Sequence, residues 1–461
     1  MAAGDDALGE AIAELQARGR FGIRLGLGRT RALLRALGSP EAGLHGVLIG
    51  GTNGKGSVQA MVGAALAAGG LRVGQTPKPH LVDYRERIVI DGRLLSPSAF
   101  AETLRAALAA SDDLARRHGP PTEFEVMTAA AFLALARARV DVAVVEVGLG
   151  GRLDATNVWD GGVAAVTNVA LDHMEHLGSS LAAIGREKAA IVKRGDLAVT
   201  GATGEGLAPI RRRASRLRVP LTITRAVDVI GMDRGGLLVR LDGLGEVRLG
   251  MLGRHQAANV AVAVAVLDAL GEVGIAQLSP AAVRHGLTAA RWPGRLELLA
   301  LQPDGRGVPA SSEAAEPGCP DVLLDGAHNA AGVAAFVAAF DELRPSLSPG
   351  RPTLLLGLMA DKDVTGMVGQ LAAADALRGA RIITTRIDAP RAMPAADLAL
   401  AWRSVADVRA GHELVVRETV ESALEAALAS VRSDGGLLLV AGSLYLVGAV
   451  RGRLVGAEEA G

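Results

Sequence analysis

Cysteine occurs once in the 461 residues, at Cys319, which excludes an intrachain disulfide framework and any multi-cysteine zinc site and suits a reducing compartment. Its place in a Gly/Pro/Ser/Glu-rich stretch reads as an incidental loop residue. Net charge is missing as well. Lys+Arg and Asp+Glu number 49 each, so no basic field draws nucleic acid or an anionic membrane, and a small-molecule partner is expected. No apolar run reaches the ~20 residues that span a bilayer. Residues 1–20 mix small, acidic and basic side chains without the apolar segment of a signal peptide, so a soluble cytoplasmic protein is expected.

Lysine and asparagine are scarce. The lysines are Lys55, Lys78, Lys188, Lys193 and Lys362; the asparagines are Asn53, Asn157, Asn168, Asn259 and Asn329. A chain rich in Arg, Ala and Gly should keep Lys and Asn mainly where substitutes fail, and most of these fall inside the motifs below.

What is abundant is apolar residue, 49% of the chain, and single cores stop growing near ~250–300 residues, so two domains are expected. Short β-branched runs alternate with Ala/Leu-rich stretches, the pattern of βαβ units around a mostly parallel sheet. Strands are predicted at 46–49, 142–147, 163–168, 197–200 and 221–224, with helices at 57–68, 98–110, 128–138 and 257–270. Residues 235–249, with apolar runs around Asp242-Gly243, predict a hairpin. After Trp292-Pro293-Gly294 the alternation restarts, with strands near 296–301, 322–324, 353–356, 382–385, 414–416 and 437–440. The expected architecture is an α/β chain with a P-loop-containing, mostly parallel sheet domain over 1–294. A second, smaller Rossmann-like α/β domain is expected over 295–461, with 304–320 a mobile insertion between two of its strands.

The strongest chemical signal is Gly50-Gly51-Thr52-Asn53-Gly54-Lys55-Gly56-Ser57, between an apolar strand and a helix. Free backbone N–H groups and the helix dipole at such a turn face phosphate, Lys55 would reach the β/γ-phosphates and Ser57 would ligate Mg²⁺. The strict Walker pattern is not met, because Gly56 separates Lys55 from Ser57. A second constellation, Glu146 to Asn157, delivers a carboxylate to a strand end before a glycine turn, where open α/β sheets bind ligands. Glu146 suits Mg²⁺, and Arg152 and Asp154 an anionic or polar substrate. Asp172, His173, Glu175 and His176 cluster without zinc spacing; one of these histidines could complete a magnesium site, and His176 and Glu175 read as structural.

Together with Glu187-Lys188-Ala189, Arg254 to Asn259, Trp292 to Glu297, Asp325 to Asn329, Asp361-Lys362-Asp363 and Gly442 to Tyr445, these motifs resemble the folylpolyglutamate synthase/dihydrofolate synthase family of the Mur ligase superfamily. The likeness covers both domains in the family's order. It implies ATP held by the phosphate loop (Gly51, Thr52, Asn53, Gly54, Lys55, Gly56, Ser57) and by Asn259, Arg295 and Asp325 across the domain interface. It implies Mg²⁺ at Ser57, Glu146 and His173, and a carbamylated Lys188 as ligand to a second metal. His328 and Ser443 would lie near the incoming glutamate. The folate side would involve Arg29, Thr122, Glu123, Phe124, Glu125 and Asp154. A monomer is also implied.

Two positions depart from the family. Pro77-Lys78-Pro79-His80-Leu81 stands where it commonly has Thr-Ser-Pro-His-Leu, bringing a positive charge that could stand in for part of a Mg²⁺ site or contact a phosphate or carboxylate. Arg24 stands where an Asp is usual. The implied reaction activates a folate carboxylate as an acyl phosphate, which the amine of L-glutamate then attacks. Lys55, Lys188, His173 and His328 are the expected catalytic groups. A muramyl-peptide ligase would carry a UDP-binding domain ahead of the loop, where about 45 residues stand here. A P-loop ATPase or regulator would not need the Asp325–Asn329 motif.

Overall fold

A computed structural model describes residues 2–21, 24–225, 227–405 and 411–456. The run at 46–50 folds as strand β1 (Gly46–Gly50), followed by β2 (Val73–Thr76), β3 (Val89–Ile90), β4 (Arg93–Leu94), β5 (Val142–Glu146), β6 (Gly162–Val166), β7 (Leu197–Thr200) and β8 (Leu221–Ile223). These make one eight-stranded sheet in the order β4-β3-β2-β5-β1-β6-β7-β8. Its strands from β2 through β8 run parallel, and β3 and β4 add an antiparallel edge.

The three central strands read as unbroken apolar runs because both faces are covered. Val47, Ile49, Val144 and Ala165 pack toward helices Lys55–Ala68 and Gln256–Glu272. Leu48, Val145 and Ala164 point the other way, into a cluster with Phe100, Phe132 and Trp159 from the opposite layer. Alternation along each strand thus feeds two cores from one sheet.

Strands β9 (Asp228–Asp233), β10 (Gly236–Leu241) and β11 (Gly245–Leu249) form a separate antiparallel sheet. The expected hairpin is β10–β11, and β9 is a third strand that the sequence did not reveal. Its burial alternates along a charged segment interrupted by Gly231, so it carries little apolar signal.

Beyond residue 294 come β12 (Glu297–Leu301), β13 (Gly307–Pro309), β14 (Asp321–Asp325), β15 (Thr353–Leu356), β16 (Arg381–Thr385), β17 (Glu413–Arg417) and β18 (Leu438–Ala441). They form a seven-stranded sheet ordered β13-β12-β14-β18-β15-β16-β17, parallel from β14 to β17. The 304–320 stretch does lie between two strands, and part of it, β13, is itself an edge strand on β12. Helix Leu444–Val455 packs back onto the first sheet's unit: an ideal Cβ on Gly448 would fall 2.0 Å from the main-chain oxygen of Leu81. Among the described residues, no helix is long and apolar enough to cross a membrane.

Candidate functional site

Register decides what meets what. Ile49 of β1 lies beside Glu146 of β5, so the loop leaving β1 and the carboxylate ending β5 emerge together at the C-terminal edge of the first sheet. The loop is held from β6's exit: Asn53 N donates to Asn168 Oδ1 at 2.9 Å, Thr52 N to Asn168 O at 3.1 Å, and Thr167 Oγ1 to Asn53 O at 2.6 Å. Gly51 faces Thr167 at a separation that no side chain would fit. Gly54 begins the helix at φ +80°, where its missing side chain makes room for Asn259 Oδ1, 2.1 Å from an ideal Cβ. Asn259 Nδ2 bonds Gln256 Oε1 at 2.8 Å, and Gln256 Nε2 reaches Ser57 Oγ at 3.3 Å. Lys55 folds over the loop, with Nζ donating to Gly51 O at 3.2 Å and Thr52 O at 3.1 Å. Gly56 lies under the Trp292 ring.

Glu146 is buried, and burial pushes its carboxyl upward against the pull of Lys55, Lys78 and Arg295. Asp325, at the end of β14, is buried too. Desolvation raises it, while Arg295 and the N–H groups of Leu296 and Ala327, each at 2.8 Å, hold it toward the ionised form. Arg295 therefore acts on carboxylates ending strands of both large sheets.

Lys188 is 3% exposed on helix Leu181–Ala189. Burial, then repulsion by Lys55, lowers its ammonium to about 7, with Asp172 opposing. His173 starts helix Met174–Leu177 in a left-handed conformation, exposed between Asp172 and Glu175, each 3.8 to 3.9 Å away. His328 Nδ1 donates to Gly326 O at 2.8 Å, leaving Nε2 as an acceptor. Burial and Arg295 depress this imidazole to about 4, with Lys362 adding and Asp172 opposing. Ser443, 2% exposed, caps helix Leu444–Val455 through Tyr445 N at 3.2 Å. That helix start meets the turn before His328, since Gly326 faces Leu444.

The expected folate-side residues divide. Thr122 and Glu125 form the capping box of helix Glu123–Ala138, and Arg29 pairs with Glu125 at 2.9 Å. Glu123 accepts from the Tyr84 hydroxyl at 2.7 Å, and Phe124 presents its ring 5.5 Å from Lys78 Nζ. Asp154 is buried and occupied by Leu149 N, Thr156 N and Thr156 Oγ1. Arg152 is exposed and pairs with Glu187 at 2.9 Å. Asp154 thus holds the 148–157 turn together, and Arg152 ties that turn to helix Leu181–Ala189.

Several neighbours of the site had no role in the sequence reading. Arg87 donates to His80 Nδ1 at 2.8 Å and covers the Tyr84 ring, which lies tilted by 37° with its centroid 4.1 Å from that of His80. Gln256, Asn168 and Trp292 pin the phosphate loop; two of them stood within quoted motifs and Asn168 among the scarce asparagines.

The model of the Mur ligase middle domain matches residues 49–267, and that of the Mur ligase glutamate ligase domain matches 313–444. Fold and site thus define a Mur-type ligase. The dihydrofolate synthase/folylpolyglutamate synthase of Bacillus subtilis is 31% identical over 458 residues, 96% of this chain and 98% of that one. The chain belongs to the folylpolyglutamate synthase/dihydrofolate synthase family. Among solved structures, Mycobacterium tuberculosis folylpolyglutamate synthase complexed with ADP matches with a TM-score of 0.82 and 32% identity, covering 97% of this chain and 98% of its own. The bifunctional enzyme of Yersinia pestis complexed with AMPPNP and Mn ion gives 0.77 and 29%, covering 96% and 97%.

Proposed function

We propose that the chain is an ATP-dependent ligase that joins L-glutamate to folates, extending tetrahydrofolate polyglutamates and converting dihydropteroate to dihydrofolate, as a cytoplasmic monomer. The observation that carries this reading is Arg295, whose charge pulls on the carboxyls of Glu146 in the phosphate-loop sheet and Asp325 in the second sheet at once. ATP lies along the loop from Gly51 to Ser57, with Asn259 beside it in the same unit and Arg295 and Asp325 closing on it from across the interface between units 1–294 and 295–461. Lys55 draws charge off the transferring γ-phosphoryl.

The residues present fit a divalent ion: Glu146 is a buried carboxylate at the strand end next to β1, and Ser57 offers a hydroxyl at the start of the helix that follows the loop. Lys188 fits carbamylation, because only a neutral amine adds CO₂ and this amine is half neutral near pH 7. Donors for two positions are present, Ser57 with Glu146 and His173 with carbamylated Lys188; Mg²⁺ held there would supply charge neutralisation for phosphoryl transfer, and the Lys78 ammonium competes with it at Glu146.

A carboxylate oxygen of the folate attacks the γ-phosphorus and ADP departs, leaving an acyl phosphate. The glutamate amine adds to the acyl carbon, and phosphate leaves as the amide forms. Neutral His328, its Nε2 an acceptor, orients the amine without placing a like charge beside it. Ser443 lies at the helix start behind it and favours a carboxylate there.

The test is phosphate release by the purified chain with Mg·ATP and L-glutamate, comparing dihydropteroate with tetrahydrofolate and omitting each component in turn. Release that requires glutamate and occurs with both pterins is expected. Release with tetrahydrofolate alone would narrow the reading to polyglutamylation, and none with either would sink it.

A further inference from the structure

Lys78 differs from the other cations of the site in being wrapped around Glu146. Its main-chain N–H donates to Glu146 Oε2 at 3.1 Å. Its side chain turns back so that Nζ donates to the Glu146 main-chain oxygen at 2.5 Å, with Thr76 Oγ1 at 3.4 Å. The Phe124 ring closes the recess 5.5 Å away. Burial lowers the ammonium to about 8, Asp154 and Glu146 attract it, and Arg87 and Lys55 repel it, so it still carries its charge at neutral pH. Main-chain oxygen, hydroxyl, nearby carboxylates and an aromatic face are what a protein offers a hard cation. Here the cation is already part of the chain.

We propose that the Lys78 ammonium is the resident cation of the Glu146 recess and replaces one divalent ion, so that this chain takes up a single Mg²⁺ with its nucleotide, on the His173 and Lys188 side. The inference rests on the ATP-dependent ligase reading above. Two like charges about 4 Å apart in a partly desolvated site repel strongly enough to cut the affinity of the second by roughly a thousandfold. A tethered ammonium therefore excludes a metal ion from the same carboxylate. Its charge also pulls on the Glu146 carboxyl at any metal concentration, because it need not be recruited from solution. Thr76 and Phe124 fix the side chain from two further elements, strand β2 and helix Glu123–Ala138, so the arrangement belongs to the fold and not to a loose loop.

The experiment counts metal directly. Full-length protein saturated with AMPPNP, without folate or glutamate, is titrated with Mn²⁺, and bound manganese is read from the loss of the free-ion signal in electron paramagnetic resonance. One Mn²⁺ per wild-type chain is expected, and two per chain in Lys78→Ser, which removes the charge and supplies a hydroxyl. Lys78→Arg, which keeps the charge, should again bind one. Two ions on the wild-type chain with nucleotide bound, or equal counts in wild type and Lys78→Ser, would overturn the proposal while leaving the ligase reading intact. Should Lys78→Ser fail to fold, the wild-type and Lys78→Arg counts still decide it. A wild-type chain that binds neither AMPPNP nor Mn²⁺ would overturn the ligase reading and this inference with it.

Discussion

Trp292 lies across Gly56 so closely that an ideal Cβ on the glycine would stand 2.3 Å from the indole ring. The tryptophan belongs to the turn that leads into the second sheet, so the helix following the phosphate loop and the connection between the sheets share one contact. Gly56→Ala should displace the ring, costing about 1–3 kcal/mol of stability as overpacking does. Nucleotide affinity should fall along with it. Tryptophan emission and fluorescent-nucleotide titration would check both, and an alanine variant with unchanged emission and affinity would refute the contact's role.

Lys188 has two separable signatures. With ¹³C-bicarbonate, the wild-type chain should show a carbamate carbon resonance that is missing from Lys188→Arg. Lys188→Gln should lose about 100-fold or more in turnover, the scale of removing one electrostatic group from a transition-state site. A carbamate signal surviving in Lys188→Arg would place the modification elsewhere.

His328 should be neutral across the physiological range, because its folded value of about 4 lies below the ordinary 6.5. Between those values the unfolded chain binds more protons than the folded one, so this residue's contribution is present above pH 6.5 and lost as pH falls through 4. Urea unfolding at pH 7 and at pH 5 should show a smaller loss for His328→Gln than for wild type. Equal losses would show that the imidazole titrates normally.

Arg451 and Glu297 make a largely buried ion pair at 3.0 Å that fastens helix Leu444–Val455 to β12, with Glu297 also accepting from Gly294 N at 2.8 Å. Removing the guanidinium leaves the Glu297 carboxylate buried without its countercharge, so Arg451→Met should cost about 3–5 kcal/mol. Denaturant midpoints for Arg451→Met, Glu297→Gln and the double variant would measure the coupling, which should be absent only if the pair is solvated.

Much of this was legible beforehand because the informative residues sit where regular elements end. Glu146 and Asp325 each close an apolar strand, and Lys55 opens an apolar helix, so pattern alone placed them at sheet edges. Scarcity helped: Asn53, Asn168 and Asn259 all lie at the phosphate loop, and at Asn168 and Asn259 a longer side chain would clash or lose its bond. What escaped depended on partners distant in sequence. Nothing near Arg29 announces Glu125, nothing near Arg152 announces Glu187, and β9 and β13 are short or charged strands whose only strong cue is the neighbour they pair with. The bonds that Leu149 and Thr156 make to Asp154 escaped too, because a free carboxylate and one held by local donors are identical in sequence.

The seat of Leu81 on Gly448 ties the loop that carries Lys78 to the last helix of the chain. Selection should therefore treat that helix as part of the phosphate site, although it follows the loop by almost the whole sequence. Lesions there would surface genetically as defects in handling metal and nucleotide, and second-site revertants of Gly448 variants should map to the segment from Lys78 to Val82.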